Sequence, residues 1–545
     1  MTHRVHNIAQ FGWYETGLSL GERKQRGHFS TPLALVDQIL DACGYAATAD
    51  LHHLRVLDPA CGSGNFLARA AQRLCLSGQA QKRHGRQLHT LLQHNIWGLD
   101  PDPVACCLAE MQIRAAINAT CETRQTSYTL HIHQADSLAL PWQPCVDLLL
   151  VNPPYLAAKN TDLSKYLQAR QRGQVDSYLL FLDMALQAVR PGGWLGLVLP
   201  DPVLARANAA PERTRLLSEC TLHHIWHIAN VFTAEVGAAV IIGQKIPPSA
   251  VHQIAWTRTR WRVRPVPQSI QHTQPRQTVH QALLARQPGA ELRYLLSSEQ
   301  GQISERLRHA LDQPSKPRSL FPLEDLVDIK RGEELGRESG ALKPFAELVD
   351  GHRMLRGGVD LCPYAQPETV WGIARRAIKK PIERYLGPKL LVVKSSKNLQ
   401  AVLDMRGHVV LQTLYILHVH GQEEKTGRVQ DLASTLPEPD SPLDTYYFLL
   451  ALLNSRLLRE YVVHLHTAYK LVQPQIEQGV LARLPVAWGE PEGRQKIATR
   501  ARALEQACSN TRAVVEWGQH LTFLYEEQEH AIRGLYAAAV PEIFC

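Results

Sequence analysis

The sequence predicts an α/β fold with a largely parallel sheet, and two stretches carry this prediction. Residues 146–151 form an apolar run without glycine or proline, which is typical of a strand buried on both faces. Residues 55–58 are predicted as a second strand, because they lead directly into a glycine-rich turn at 59–64 and a helical pattern. Because strand, turn and helix follow one another here, ligands are expected at the carboxyl edge of the sheet.

The totals indicate a soluble protein of more than one domain. A chain of 545 residues exceeds the single-core limit of about 250–300 residues. No apolar run approaches the roughly 20 residues that span a bilayer, so we expect a cytoplasmic protein. The net charge of +8 is compatible with a polyanionic partner.

Cysteine and histidine usage predicts neither disulfides nor a metal site. The 11 cysteines are an odd number and include no Cys-x-x-Cys pair. Adjacent histidines such as His52 and His53 would point to opposite faces of a strand, which is poor ligand geometry.

The first helix follows the motif at residues 27–32. Leu33 to Leu40 carry apolar residues at helical spacing, Ser30 or Thr31 is placed to cap the helix, and Pro32 suits its first turn. A helix start capped in this way favours a carboxylate ligand.

The glycine-rich turn at 59–64 follows Asp58 directly. It has neither the Gly-Lys-Ser/Thr of a Walker loop nor the spacing of a dinucleotide-binding fingerprint. The acidic Asp58 disfavours a phosphate there and favours a ligand with an ammonium or sulfonium charge.

Polar residues follow three further predicted strands. The strand at 95–99 ends in Asp100, the strand at 128–133 leads to Asp136, and the strand at 146–151 delivers Asn152. A single aspartate after a strand is usually a turn residue or a helix cap. Four polar strand ends in succession indicate a ligand site.

The motif Asn152-Pro153-Pro154-Tyr155 suits recognition of a planar amino group beside a ring. The Asn152 amide oxygen and the Pro153 carbonyl accept hydrogen bonds, and neither proline has an N–H. Tyr155 offers a face for base stacking. The alternative is an ordinary proline-rich turn after a strand.

The pattern continues with a helix from Asp176 that ends at residues 190–193, and with strands at 194–199, 222–228 and 238–242, the last two as a hairpin. With these motifs the sequence resembles the gamma-class, TaqI-like N6-adenine DNA methyltransferases, which use S-adenosyl-L-methionine. Residues 58–64 are similar to their cofactor loop and residues 152–155 to their catalytic motif. The resemblance implies a Rossmann-like, seven-stranded methyltransferase domain over residues 1–247.

The resemblance also implies roles for single residues. Thr31 would hold the methionine end of the cofactor, Asp58 would lie near its amino group, and Asp100 and Asp136 would bind ribose and the adenine amine. Phe232 would be a second aromatic wall for an extruded base, or alternatively a hydrophobic staple under its loop. The implied cofactor-binding residues are Thr31, Asp58, Ala60, Gly62, Gly64, Asp100 and Asp136, and the implied catalytic residues are Asn152, Pro153, Pro154, Tyr155 and Phe232.

Composition shifts near residue 248. Residues 248–320 are expected to connect two domains, and their alternating aromatic and basic run at 256–264 suits either phosphate contact or a solvated edge strand. Residues 321–490 resemble a mixed α+β target-recognition domain of the same family, and 491–545 carry a helical pattern. The candidate DNA contacts are Lys330, Arg331, Lys394, Lys397, Lys470 and Gln473, although any one lysine is more often a solvated surface residue.

The sequence therefore predicts transfer of a methyl group from S-adenosyl-L-methionine to N6 of an adenine flipped out of duplex DNA, within a restriction-modification or phage-defence system. The alternatives are a methyltransferase for cytosine N4, RNA or a protein amide, and a non-catalytic specificity subunit. We expect double-stranded DNA as partner, with a separate restriction nuclease or defence subunits as further candidates.

Overall fold

The structure is a computed structural model in which the chain divides into two compact units, Met1–Tyr294 and Leu295–Cys545. It describes residues 29–120, 129–157, 161–166, 175–232, 237–261, 277–313, 318–336, 339–420, 441–472, 474–509 and 516–544. No helix among these residues is both long and apolar enough to cross a membrane.

The first unit is built on one sheet, with nine strands among the described residues, in the order β3-β2-β1-β4-β5-β7-β6-β8-β9. Strands β1 to β5 run parallel, and β7 lies antiparallel between β5 and β6. The strands are β1 (Val56–Asp58), β2 (Ile96–Asp100), β3 (His131–Gln134), β4 (Val146–Val151), β5 (Val189–Pro200), β6 (Thr221–Ala229), β7 (Ala238–Gln244), β8 (Gln253–Arg260) and β9 (Gln277–His280).

The seven strands expected within residues 1–247 are present as β1 to β7, and the sheet continues beyond that boundary. Strand β8 pairs in parallel with β6, and β9 pairs antiparallel with β8, so both extend the sheet. The sequence predicts a connecting region at 248–320, with a solvated edge strand as one alternative for 256–264; β8 is a strand, but it lies inside the sheet between β6 and β9. The division at Tyr294 falls inside that region.

Helices of the first unit follow the strands and cover the sheet. They are α1 (Leu33–Ala42), α2 (Asn65–Ala80), α3 (Arg86–Asn95), α4 (Pro103–Thr120), α5 (Ser177–Ala188), α6 (Ala210–Glu219) and α7 (Gln281–Ala285). The aliphatic residues of α1, α2 and α4 are buried in one hydrophobic cluster with those of β1, β2 and β4. The buried pattern of β4 agrees with a strand covered on both faces.

The expected capping of α1 is wrong. Pro32 occupies the N-cap position with an extended backbone, and no side chain caps the helix. Proline has no side-chain acceptor, so the hydroxyl of Ser30 is left to another partner, the amide of Asn65.

A glycine is required where the cofactor-loop turn enters α2. Gly64 has φ of +88°, and a Cβ there would lie 2.8 Å from the Cα of Ala109 in α4. This close approach lets α4 pack directly against the start of α2.

The second unit contains two four-stranded sheets and a strand pair among its described residues. One sheet has the order β11-β18-β15-β16, the other β12-β14-β13-β17, and β10 pairs with β19. The strands are β10 (Leu320–Pro322), β11 (Val327–Arg331), β12 (Leu342–Pro344), β13 (Gly351–Leu355), β14 (Trp371–Ala374), β15 (Lys389–Val393), β16 (Ala401–Asp404), β17 (Val409–Val410), β18 (Leu414–Val419) and β19 (Pro485–Ala487).

Helices of the second unit lie mainly after its sheets in the chain. They are α8 (Glu299–Asp312), α9 (Pro442–Asn454), α10 (Arg456–Leu465), α11 (Gln478–Ala482), α12 (Pro491–Ser509) and α13 (Glu516–Ala539). Mixed sheets followed by helices agree with the α+β character expected for residues 321–490 and the helical character expected for 491–545. The boundaries between these predicted domains stay predictions.

Candidate active site

A cavity of about 290 Å³ opens at the carboxyl edge of the first unit's sheet. Strands β1, β2 and β4 end at it, so polar residues far apart in sequence come together. The predicted residues that line it are Thr31, Asp58, Ala60, Gly62, Asp100, Asp136, Asn152 and Pro154. Gly64 and Pro153 do not line the cavity themselves but belong to the turns that form its walls.

Asp58 is a buried carboxyl group at the end of β1. Burial raises the pKa of Asp58 to about 8, and the nearby Asp100 carboxylate adds to the rise, while a hydrogen bond from the backbone N–H of Ala60 opposes it. The group is therefore largely protonated at neutral pH, and a cationic ligand would favour its ionised form.

Asp100 holds the glycine-rich turn in place. One carboxylate oxygen accepts a hydrogen bond from the Gly62 N–H at 3.0 Å, and the other accepts one from the Asp102 N–H at 2.9 Å. Gly62 has φ of +49°, which its lack of a Cβ permits. The aspartate therefore shapes the turn as well as lining the cavity.

Asp136 is already engaged by two side chains that the sequence analysis did not single out. Its Oδ2 accepts hydrogen bonds from the Lys165 ammonium at 2.9 Å and the Tyr166 hydroxyl at 2.7 Å. Burial would raise the pKa of Asp136, but these donors outweigh burial and lower it. Lys165 and Tyr166 also line the cavity.

Asn152 is the first residue after β4, and its amide is oriented by the backbone. Its Nδ2 donates a hydrogen bond of 2.6 Å to the carbonyl oxygen of Phe29. Because a carbonyl only accepts hydrogen bonds, the amide nitrogen must face Phe29, and the amide oxygen is turned to the other side.

Ser177, at the start of α5, holds the turn after Asn152. Its hydroxyl donates to the Pro154 carbonyl and accepts a hydrogen bond of 2.9 Å from the Leu156 N–H. The Ser177 N–H in turn donates to the Leu156 carbonyl at 3.0 Å. The sequence analysis placed Ser177 at a helix start, but nothing in the sequence indicated these contacts.

Neither predicted aromatic wall lines the cavity. The Tyr155 ring meets the Phe232 ring edge-on, with 6.2 Å between centroids, and the Tyr155 hydroxyl donates to the Val198 carbonyl at 3.2 Å. Phe232 is only 8% exposed and also packs near the Phe29 ring. This position resembles the hydrophobic staple that was the alternative for Phe232, and the stacking role stays a prediction.

The histidine pair near β1 departs from the expected geometry. His52 and His53 lie in a turn rather than a strand, and their ring centroids are 3.6 Å apart. Together with Asp50 they bring three potential metal-ligand atoms within 4.8 Å of one another. Asp50 and His53 are exposed, and the absence of a metal site stays a prediction.

The candidate DNA contacts lie in the second unit, apart from Gln473, which falls outside the described residues. Lys330 is paired with Asp328 at 2.5 Å, and Lys470 is paired with Glu477 at 2.6 Å. Exposed Arg331 ends β11. The two lysine pairings reduce the charge that these residues present to a partner.

The loops that carry Lys394, Lys397 and Lys470 adjoin one another. The Lys394 carbonyl accepts a hydrogen bond of 2.9 Å from the Ile476 N–H, and the Lys397 carbonyl accepts one of 2.7 Å from the Thr467 hydroxyl. The structure therefore places Lys394 and Lys397, between β15 and β16, next to the segment after α10 that carries Lys470.

A cleft lined by arginines, which we call the arginine cleft, also lies in the second unit. Arg356 covers the Trp371 ring with 4.2 Å between its guanidinium carbon and the ring centroid, and Val370 beside it is 73% exposed. The cleft is lined by Arg353, Arg356, Asp360, Glu368, Thr369, Val370, Trp371, Arg406 and His408. The sequence analysis missed it because its residues come from separate loops without a motif.

The first unit thus combines a largely parallel sheet, a glycine-rich turn and an asparagine-proline motif around one cavity, as in Rossmann-like α/β folds. Residues 14–248 match the family model described as N-6 DNA Methylase. This match confirms the resemblance to N6-adenine DNA methyltransferases and identifies S-adenosylmethionine as the cofactor of the matched region. The gamma-class assignment stays a prediction.

Two curated relatives each match about a third of the chain. The Type II methyltransferase M.PaeR7I of Pseudomonas aeruginosa is 28% identical over 207 residues, which are 36% of this chain and 35% of the relative. The Type I restriction enzyme EcoEI methylase subunit of Escherichia coli is 26% identical over 188 residues, 33% of this chain and 36% of the relative. The chain thus covers about a third of the length of these curated relatives.

A solved structure extends the likeness beyond the first unit. The Type IIL restriction-modification enzyme MmeI in complex with DNA has a TM-score of 0.61 and 13% identity, and the match covers 97% of this chain and 78% of that one. At this identity the likeness concerns the fold alone.

Proposed function

We propose that this protein is a sequence-specific DNA methyltransferase that transfers a methyl group from S-adenosylmethionine to N6 of an adenine flipped out of duplex DNA. The observation that carries the proposal is the orientation of Asn152. Its amide nitrogen is committed to the Phe29 carbonyl, which leaves the amide oxygen to accept a hydrogen bond from a substrate amine.

An exocyclic amine is a poor nucleophile because its lone pair is delocalised into the ring. The Asn152 oxygen and the Pro153 carbonyl would accept its two hydrogens and favour a more tetrahedral nitrogen with an exposed lone pair. This is catalysis by positioning and by preorganised dipoles, and it requires no nucleophilic cysteine. Burial raises the pKa of the Cys61 thiol beside the site well above its usual value, which agrees with a packing role.

The residues around the cavity fit the cofactor. Asp58 would pair with its ammonium group, and Asp100, at the end of the second strand, would accept hydrogen bonds from ribose hydroxyls. When bound, S-adenosylmethionine supplies the methyl group. Asp136 would accept a hydrogen bond from the adenine amine of the cofactor. Its Oδ2 also accepts hydrogen bonds from Lys165 and Tyr166, so the carboxylate would serve all three donors.

A flipped base would reach the site beside Tyr155. Flipping costs a few kcal/mol, and stacking on an aromatic ring returns about 1–3 kcal/mol. Because the Tyr155 and Phe232 rings meet edge-on at 6.2 Å, a base stacked between them requires the two rings to separate.

The second unit supports DNA as the substrate. The basic loops at Lys394 and Lys397 and the arginine cleft provide positive charge, an aromatic ring and exposed apolar groups, a combination that suits phosphate and base contacts. The names of the relatives and of the solved structure favour a place in a restriction-modification system, and phage defence is the corresponding wider role. The partner is then duplex DNA, together with a nuclease or defence subunit.

The test is single-molecule sequencing of genomic DNA from a methylation-free bacterial host that expresses this chain, beside a host that expresses the Asn152→Ala variant. We expect N6-methyladenine at one enriched motif in the first host and none in the second. N4-methylcytosine at a motif would reject the adenine assignment. An unmodified genome, with soluble protein that binds S-adenosylmethionine, would reject activity of this chain alone on DNA.

A further inference from the structure

A short segment in front of α1 is held on two sides by amide side chains. We call residues 29–31 the strap. On one side the Phe29 carbonyl accepts the hydrogen bond from Asn152 at 2.6 Å. On the other side, Asn65 Nδ2 donates to the Ser30 hydroxyl at 2.9 Å and to the Thr31 carbonyl at 2.8 Å. The strap therefore joins the start of α2 to the residue after β4.

Asn65 is oriented by a residue outside the cavity. Its Oδ1 accepts a hydrogen bond of 2.6 Å from Nε2 of Gln112, which lies on α4. Gln112 is 2% exposed and does not line the cavity, whereas Asn65 does. A buried side chain one layer behind the site thus contacts a side chain within it.

The direction of these hydrogen bonds leaves little freedom. The Thr31 carbonyl only accepts, so the Asn65 amide nitrogen must face the strap. The Asn65 oxygen then faces Gln112, and Gln112 must present its own amide nitrogen. Reversing the Gln112 group would reverse Asn65 and place an oxygen against the Thr31 carbonyl.

The packing around Gln112 makes the arrangement rigid. Gln112 lies one helical turn beyond Ala109, whose Cα would be 2.8 Å from a Cβ at Gly64. Ala109 therefore packs directly on the backbone of Gly64, and this close packing sets the distance between Gln112 and Asn65.

We propose that Gln112 and Asn65 are positioning residues that hold the strap, and that through it they set both the cofactor's methionine end at Thr31 and the amide orientation of Asn152. The effect on the cofactor rests on the role that the resemblance implies for Thr31. The effect on Asn152 rests on the proposed function.

The test replaces Gln112 with a side chain of nearly the same shape that accepts but does not donate when ionised, Gln112→Glu. We expect the dissociation constant for S-adenosylmethionine, measured by calorimetry, to rise about tenfold, because a buried acceptor loses its donor. Asn65→Asp, which removes the donor to the strap, should raise it by a similar factor. With a duplex DNA substrate that contains the target motif, both variants should also lower kcat at saturating cofactor.

The matched control is Gln281→Glu. Gln281 is 1% exposed and donates to the Leu217 and Cys220 carbonyls at 2.9 and 2.7 Å, remote in the chain from the cavity residues. The same substitution should lower the melting temperature there and leave the dissociation constant and kcat unchanged. A buried carboxyl can stay protonated and still donate, so Gln112→Met, which has no donor, is measured beside Gln112→Glu and is the deciding variant.

Folded Gln112 and Asn65 variants with wild-type cofactor affinity and wild-type kcat would overturn the proposal. So would an equal change in affinity for Gln281→Glu, since that would indicate a general loss of stability. If the wild-type protein binds S-adenosylmethionine but methylates no DNA, the proposed function fails, while the comparison of dissociation constants still decides whether Gln112 and Asn65 position the cofactor site.

Discussion

At the scale of single residues, Asn152 combines a constrained orientation with a direct role in the proposed chemistry. Asn152→Ala removes the amide oxygen, and we expect kcat to fall about 10²–10³-fold, the usual loss for a preorganised hydrogen-bonding group. The dissociation constant for S-adenosylmethionine should change far less than kcat, because the variant loses one anchor of the strap at Phe29 but keeps the predicted cofactor contacts, which lie on other residues. Steady-state kinetics and calorimetry on the same preparation measure both quantities, and wild-type turnover would remove this mechanism.

Asp58 should make cofactor binding depend on pH. Its pKa of about 8 in the unliganded site should fall when an ammonium group binds, so binding releases a proton. Affinity should therefore rise as the pH increases from about 6 towards 7.5, and it should fall at higher pH as the cofactor's α-ammonium, with an ordinary pKa of about 8, loses its proton.

Calorimetry in two buffers of different ionisation enthalpy counts the protons released. Asp58→Asn keeps the shape of the side chain without titrating, so its proton release should be smaller than that of the wild type at pH 6.5. Equal release by the two proteins would reject the assignment to Asp58.

The sequence predicted which side chains meet at the cavity but not which hydrogen-bond partners they have there. Asp58, Asp100, Asp136 and Asn152 follow strands whose order in a parallel sheet is a general property of α/β folds, so their meeting followed from topology. The contact of Lys165 with Asp136 depends on the path of a loop, for which the sequence carries no periodic signal.

At the scale of secondary-structure elements, the packing of α4 on α2 depends on the absence of one side chain. Gly64→Ala should destabilise the protein, because a Cβ there meets the backbone of Ala109 at 2.8 Å and φ is +88°. Gly44 provides a matched control, since its φ is +71° with nothing within 4 Å of a Cβ.

Gly44→Ala should cost about 1 kcal/mol in backbone strain. Gly64→Ala should cost a further 1–3 kcal/mol or so for the steric overlap. Chemical denaturation measures both free energies of unfolding, and equal costs would show that the clash is relieved by movement of α4.

A buried ion pair joins β15 to β16 in the second unit. Lys389 and Asp404 are both 0% exposed and lie 2.6 Å apart, and His408 donates to the same carboxylate at 2.8 Å. Burial alone would raise the pKa of Asp404, but the hydrogen bond from His408 and the charge of Lys389 outweigh it and lower the pKa to about 2.

This depressed pKa makes the second unit sensitive to acid. The stabilisation is complete above the unfolded value near 4 and is lost as the pH falls through about 2, a contribution of roughly 2–3 kcal/mol. Asp404→Asn should flatten the dependence of the unfolding free energy on pH between about 4 and 2. Chemical denaturation at each pH measures this free energy. An unchanged slope would place the acid sensitivity elsewhere.

At the scale of the whole molecule, the basic loops of the second unit should determine how tightly DNA binds. Replacing Lys394 and Lys397 by alanine should weaken binding to any duplex, because phosphate contacts are independent of sequence. The slope of log affinity against log salt should fall by about 0.9 for each phosphate that the variant no longer neutralises. Fluorescence anisotropy over a salt series measures this slope.

Lys496 is the control for this pair, since it is exposed on α12. Lys496→Ala removes one positive charge without touching the loops at 394 and 397. A salt slope that falls equally for Lys496→Ala would mean that net charge, rather than these loops, determines the affinity.

Most strands of the first unit could be predicted from the sequence, whereas only the general α+β character of the second unit could be predicted. The first unit places short aliphatic runs directly before glycine, proline and aspartate, so its strands β1 to β7 were predictable. Strand β8 was only one of two alternatives, because Trp256, Arg258 and Arg260 are equally typical of a phosphate-binding surface, and no strand was predicted at β9. The arginine cleft draws residues from several loops, and no spacing along the chain indicates such a grouping.

Strands β8 and β9 determine where the first unit should end when it is produced as a separate fragment. A fragment that ends at residue 247 would remove the partner of β6 and leave a row of unpaired backbone donors and acceptors beside the buried residues Ile225 and Trp226. Such a fragment should associate with itself through this bare strand and form insoluble aggregates. A fragment that ends at Tyr294 retains β8, β9 and the Gln281 contacts, and it is the natural piece to express.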